Sequence, residues 1–209
     1  MAQLMTLDDI VGLVESSLQT DFRDLQFASL LKNRRILLNY GIDESLVEYC
    51  ILPLLQLEED GTGKPIELIV NTPGGSLQDG MVLCNIIDNL TTPTTITVLG
   101  QAASMGTYIL AAGFSNPNVV KRCYPFSVGL LHGGMMALEG TPYQCKDAAD
   151  FQTNYEARIR EYICSHTLIT LEEYDKRKKD EWFMDSKQLK EYGFVNYIIG
   201  EDVVSDAVL

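Results

Sequence analysis

The sequence predicts an α/β domain of parallel β-α-β units, and three observations carry that expectation. Short apolar runs at residues 36–38, 66–70, 95–99 and 128–131 read as buried strands. Segments with apolar residues at helical spacing separate the first of these, at 43–58 and 76–90. Turns rich in glycine and proline, at 59–65 and 71–75, punctuate the alternation. Strands and helices alternating in this way close into parallel pairs through right-handed crossovers.

The elements follow in order. Residues 6–18 place Leu7, Ile10, Val11 and Val14 at helical spacing behind Thr6, Asp8 and Asp9. A polar break at Gln19-Thr20-Asp21 sets this N-terminal amphipathic segment, residues 1–20, apart from a main domain spanning 21–209. Its expected role is docking, on this domain or on a neighbouring subunit. After the strand at 36–38, Asp43 caps a helix that runs to about residue 58. The strand at 66–70 leads to Asn71-Thr72-Pro73-Gly74-Gly75 and a helix over 76–90. The strand at 95–99 ends at Gly100, which turns the chain into a helix beginning near Ala103. Phe114 to Tyr124 is expected to hold a surface loop, with Val119-Val120 a short strand segment. Helices at 143–167, 171–179 and 186–192 precede a last strand at 195–199.

A chain of 209 residues fits one domain with a sizeable core. Its 46% hydrophobic and 22% charged residues are ordinary globular values. A net charge of −13 opposes binding to a phosphate backbone, and the one basic run, Lys176-Arg177-Lys178-Lys179, is flanked by acids. The five cysteines form no C-x-x-C pair, so neither a disulfide framework nor a zinc site is expected and a reducing compartment is. No basic leader or long apolar stretch suggests export or a membrane span, and the expected location is cytoplasmic.

Three short motifs carry chemistry. In Gly100-Gln101-Ala102-Ala103-Ser104-Met105-Gly106, Ser104 stands at a strand-to-helix junction among small residues. There a hydroxyl projects beside the free N–H groups of a helix start; a plain serine cap is the commoner use of such a position. Gly74-Gly75 follows a buried strand and lets backbone approach a ligand closely. His132 ends the apolar strand at 128–131 and precedes two glycines. A serine nucleophile needs a base, and the only other histidine, His166, lies inside the long helix, where a structural role is the simpler reading.

Together the three motifs resemble the ClpP family, the proteolytic subunits of the ATP-dependent Clp protease. That family's pattern is a strand, N-[ST]-P-G-G, a helix, G-Q-A-A-S-M-G, and a strand leading into a histidine. The segment Leu189-Lys190-Glu191-Tyr192-Gly193-Phe194-Val195 is similar to its A-x-E-Y-G-L-V ending, and the likeness runs over about residues 22–200. The resemblance implies Ser104 as nucleophile, His132 as general base, and Gly75 and Met105 as oxyanion-hole donors. It implies a ClpP/crotonase-type spiral of stacked β-α-β turns with a protruding handle, the helix at 143–167. Ala148, Phe151, Tyr155, Ile159 and Tyr162 share one face of that helix, for packing on another subunit or on this chain's own core.

The resemblance also implies homo-oligomeric, stacked heptameric rings, a peptide or unfolded-protein substrate, no metal or organic cofactor, and ATP used only by a separate AAA+ unfoldase. The family's third catalytic residue is an Asp. Counting without gaps from His132, and back from Tyr192-Gly193, the slot falls on Glu181, while a one-residue shift brings in Asp180; both stay open here. Two other departures are a longer segment between Ser104 and His132 and the acidic helical N-terminus where the family has pore loops. A ring subunit with a structural role and a crotonase-type acyl-CoA enzyme are the alternatives.

Overall fold

The structure, a computed structural model, describes residues 22–134 and 137–202. The amphipathic segment expected at 6–18 lies outside the described residues. Seven strands form one sheet: β1 (Arg35–Leu38), β2 (Ile66–Thr72), β3 (Thr94–Ala103), β4 (Val119–Cys123), β5 (Val128–Leu131), β6 (Trp182–Met184) and β7 (Tyr197–Ile198). The order β1-β2-β3-β4-β7 is parallel throughout. The helices are α1 (Phe22–Lys32), α2 (Leu52–Glu59), α3 (Leu77–Asp88), α4 (Met105–Ala111), α5 (Pro142–Ser165), α6 (Leu171–Arg177) and α7 (Ser186–Glu191). The expected α/β class with parallel β-α-β units is therefore the observed one.

Strand β3 is the architectural hinge. Residues 94–98 pair with β2 on one side and β4 on the other. The ladder then slips, so that Val70 faces Val98 but Thr72 faces Ala102. Beyond the slip, Gln101 to Ala103 leave β4 and pair with β5. One strand thus passes from one layer of the spiral to the next, and the bulge re-aims its end. The sequence predicts a strand that ends at Leu99 and a turn at Gly100. The strand instead continues to Ala103, because Asn71 accepts the Gln101 N–H at 3.1 Å and β5 supplies the remaining ladder bonds.

Two further expectations need correction, and one helix goes unannounced in the sequence. The helix expected from Asp43 begins later: Asp43 accepts the Ser45 N–H in a local turn, and residues Val47–Ile51 form a wide π-turn before α2. Pro53 is the cause, since it has no N–H for the Tyr49 carbonyl and its ring crowds that turn. Phe114 to Tyr124 is a loop only in its first half. Val119, Lys121 and Cys123 are buried in β4. Helix α1, unrecognised from the sequence, buries only Ala28 and Leu31, so its apolar spacing is faint.

Helix α4 is buried at all seven positions. A helix apolar all round belongs inside a core rather than on a surface. Lys121 reaches its end from β4, and the ammonium donates to the carbonyls of Leu110 at 2.6 Å, Ala111 at 3.3 Å and Ala112 at 3.2 Å. A cation at a helix C-terminus meets the negative end of the dipole.

Helix α5 protrudes. Thr141 and Gln144 form a capping box around Pro142 at its start. Of the predicted packing face, Ile159 is buried and Tyr162 half-buried on this chain, while Phe151 is 58% exposed and stacks on Tyr155 at 5.8 Å. The face therefore divides between the chain's own core and solvent.

The root of α5 is tied to α3 through Asp88. Its carboxylate accepts from the Gly113 N–H at 2.6 Å and the Tyr162 hydroxyl at 2.9 Å, and lies 3.4 Å from His166 Nε2. The Asp88 contact, working against burial, raises the His166 imidazole above its ordinary 6.5. Burial pushes the Asp88 carboxyl up, but hydrogen bonds from His166, Gly113 and Tyr162 outweigh it and hold the group below the usual range. A raised folded-state histidine contributes stability that is full below the unfolded value and is lost as pH rises through the folded one. The urea midpoint of the protein should exceed that of His166→Gln most below pH 6.5, and the gap should narrow as pH rises past it. Paired denaturation curves at acidic and alkaline pH check this.

Candidate active site

The motif Asn71-Thr72-Pro73-Gly74-Gly75 closes β2 against β3. Thr72 donates its hydroxyl to the Tyr40 carbonyl at 2.6 Å, and the same oxygen accepts the Gly74 N–H at 3.1 Å. Gly74 and Gly75 then take φ values of 91° and 149°. A Cβ on Gly74 would stand 2.6 Å from Ser104 Cβ, and one on Gly75 would stand 2.1 Å from the Ile42 carbonyl oxygen. Gly75 bridges to Ile42, whose N–H donates to the Gly74 carbonyl at 2.9 Å and whose carbonyl accepts the Ser76 N–H at 2.7 Å. Side chains are excluded at both positions by close backbone on either side.

Ser104 follows the last residue of β3 and precedes α4. Its φ of 51° and ψ of −118° lie where non-glycine residues are rare, at a cost of about 1–3 kcal/mol. The strain is held from two directions. Leu130 of β5 accepts the Ser104 N–H at 2.8 Å, and the Thr107 hydroxyl, fully buried, shares its proton between the carbonyls of Leu130 and Ala102 at 2.6 and 2.8 Å. Such a sharp strand-to-helix turn lifts the hydroxyl clear of the backbone. Met105, first residue of α4, has no intrahelical acceptor for its N–H.

His132 follows β5. Its Nε2 lies 2.9 Å from Ser104 Oγ and its Nδ1 lies 3.0 Å from Glu181 Oε1. Strand pairing explains which acid meets it. Strand β6 runs antiparallel to β5, with Gly129 opposite Met184, Leu130 opposite Phe183 and Leu131 opposite Trp182. One step further along that register, Glu181 faces His132. Asp180 falls on the turn, where its N–H donates to the Arg177 carbonyl at 2.8 Å, and the carboxylate paired with the imidazole is that of Glu181. With Glu181 accepting from Nδ1–H, the tautomer leaves the Nε2 lone pair facing the serine. His132 is 21% exposed at the side chain and Glu181 62%.

Gly75, Ser104, Met105 and His132 line one groove of about 930 Å³, with Tyr108 and Ile159 on its apolar wall. All five residues singled out in the sequence therefore come together, Glu181 standing behind His132. The sequence places Asn71 and Thr72 in the glycine motif but does not reveal their supporting contacts, nor Thr107 and the three-residue strand β6 as supports. Thr72 alone carried a signal, as the residue two before Gly74 in a turn. Among the described residues no group of His, Cys, Asp and Glu is arranged to hold a metal, and no helix is long and apolar enough to cross a membrane.

A strained serine at a strand-to-helix turn, hydrogen-bonded through an imidazole to a carboxylate, has the geometry of a serine hydrolase. The Clp protease family profile matches residues 19–202, most of the chain, and this chain belongs to that family of peptidases. It is 26% identical over 175 residues to a protein of Salinibacter ruber (strain DSM 13855 / M31) named ATP-dependent Clp protease proteolytic subunit 1, covering 84% of this chain and 74% of the relative.

Proposed function

We propose that this chain is a serine endopeptidase that hydrolyses peptides or unfolded proteins with Ser104, His132 and Glu181 as its triad. The observation that carries the reading is the pair of contacts on one imidazole, 2.9 Å to Ser104 Oγ and 3.0 Å to Glu181 Oε1. His132 Nε2 takes the Ser104 proton as Oγ attacks the peptide carbonyl. The oxyanion lies between the N–H groups of Gly75 and Met105. The tetrahedral species expels the amine, which leaves with the proton from His132. Water, deprotonated by the same imidazole, then attacks the ester and regenerates Ser104.

Glu181 fixes the tautomer and stabilises the imidazolium without taking its proton. A Glu reaches further than an Asp, which suits an acid held by backbone register at the edge of the site. Family membership and the protruding α5 support assembly into stacked homo-oligomeric rings that enclose the grooves. The relative's name supports an ATP-consuming partner, an AAA+ unfoldase, which this chain would serve in the cytoplasm.

Turnover of a fluorogenic peptide by acid-position variants tests the reading. Glu181→Gln should lower kcat by about 10²–10⁴-fold, the range for a misheld tautomer. Asp180→Asn should leave it unchanged. The reverse pattern would assign the acid to Asp180, and no effect from either would remove the acid from the mechanism.

A further inference from the structure

Little holds Glu181 in place directly. Its side chain is largely exposed, and β6, the strand that sets its register, is three residues long and pairs with β5. The next residue is different. Trp182 is only 4% exposed and lies opposite Leu131, the neighbour of His132. The Arg177 guanidinium lies 4.5 Å from its ring centroid, and the Tyr192 ring meets it edge-on at 5.1 Å and 86°. Both flanking groups converge on one carboxylate: Glu173 Oε1 accepts the Tyr192 hydroxyl at 2.9 Å and stands 3.7 Å from Arg177 Nε. The cluster joins α6, the start of β6 and the end of α7.

The indole N–H has no partner among the described residues. A buried donor left unmet is a cost to the fold, so the position is held for its ring rather than its polar atom. Side chains alternate across a strand, so fixing Trp182 on its inner face also fixes the direction of Glu181. A guanidinium over an indole is drawn to the negative face of the ring, which steadies the start of a strand this short.

We propose that Glu173, Arg177, Trp182 and Tyr192 form a positioning cluster that keeps Glu181 against His132. The inference rests on the triad reading above. Arg177 touches neither substrate nor reacting atoms; it acts through the Trp182 ring.

The test is a double-mutant cycle on the assembled full-length protein, with kcat normalised to the serine fraction titrated by a fluorophosphonate, so that misfolded molecules do not count. Arg177→Ala should lower kcat about tenfold with KM changed less than about twofold. Arg177→Lys, which keeps a cation over the ring, should restore most of it. Trp182→Phe, which keeps the aromatic ring and removes the unmet donor, should lose far less than Trp182→Ala. In a Glu181→Gln background Arg177→Ala should cost nothing further, because the carboxylate it positions is gone. An equal loss in both backgrounds would overturn the positioning role, as would an unchanged kcat for Arg177→Ala where Glu181→Gln alone lowers it. An unchanged kcat for Glu181→Gln itself would overturn the triad reading and the cluster's role with it.

Discussion

Ser104→Ala should abolish peptide turnover, by about 10⁴–10⁶-fold, while the protein folds and assembles as before. The loss is large because, among the described residues, the hydroxyl is the hydrogen-bond partner of His132 Nε2, at 2.9 Å. The fold should survive because the bond that fixes this turn uses backbone: the Ser104 N–H to Leu130 carbonyl contact remains in the alanine variant. Alanine also meets the same backbone strain at φ 51°, since both residues carry a Cβ. Thermal melting should therefore be unchanged. His132→Ala should cost a similar factor, and the double variant should be no worse than either single one, because the two act as a unit. Turnover assays on the three variants, at equal protein concentration, check the pattern.

Gly75→Ala should cost about 10²–10³-fold in kcat, the usual loss of one oxyanion donor, and should also destabilise the fold. Both effects have one cause. An added Cβ at Gly75 would stand 2.1 Å from the Ile42 carbonyl oxygen and 2.8 Å from its nitrogen. Those are backbone atoms and cannot swing aside, so the bridge to Ile42 must open and the Gly75 N–H must turn from its aim. Overpacking of this kind costs about 1–3 kcal/mol. Gly61→Ala is the control. Its φ is also positive, at 71°, but nothing lies within 4 Å of the added Cβ. It should lose a little stability and no activity. A Gly75→Ala protein with full kcat would remove that N–H from the oxyanion hole.

The sequence showed the chemistry more clearly than the backbone that presents it. Ser104, His132 and the glycine pair stand in short motifs whose residue types are dictated by contact: a second-row atom at Gly74 would strike Ser104, and no other histidine lies at a strand end. Ungapped spacing favours Glu181 and leaves Asp180 open, and the antiparallel register of β5 and β6 sets Glu181 opposite His132. What stayed hidden was held by distant partners. The second half of β3 is Gly100-Gln101-Ala102-Ala103, with no branched residue to mark a strand, and it is a strand because β5 and Asn71 take its bonds. Strand β6 is too short for a period to show. Thr107 is a polar residue in a wholly buried helix, legible only once the two carbonyls it serves are in view. The π-turn before α2 follows from Pro53 acting backward along the chain, and a forward reading from Asp43 passes over it.

The central claim is that Ser104 is a nucleophile activated by His132. The most direct measurement is fluorophosphonate labelling of the purified protein, with the adduct located by peptide mass spectrometry and with Ser104→Ala and His132→Ala alongside. The account predicts one adduct per chain, on Ser104, in the unmodified protein and none in either variant. A folded protein that takes no label, or an adduct that forms without His132, would contradict it.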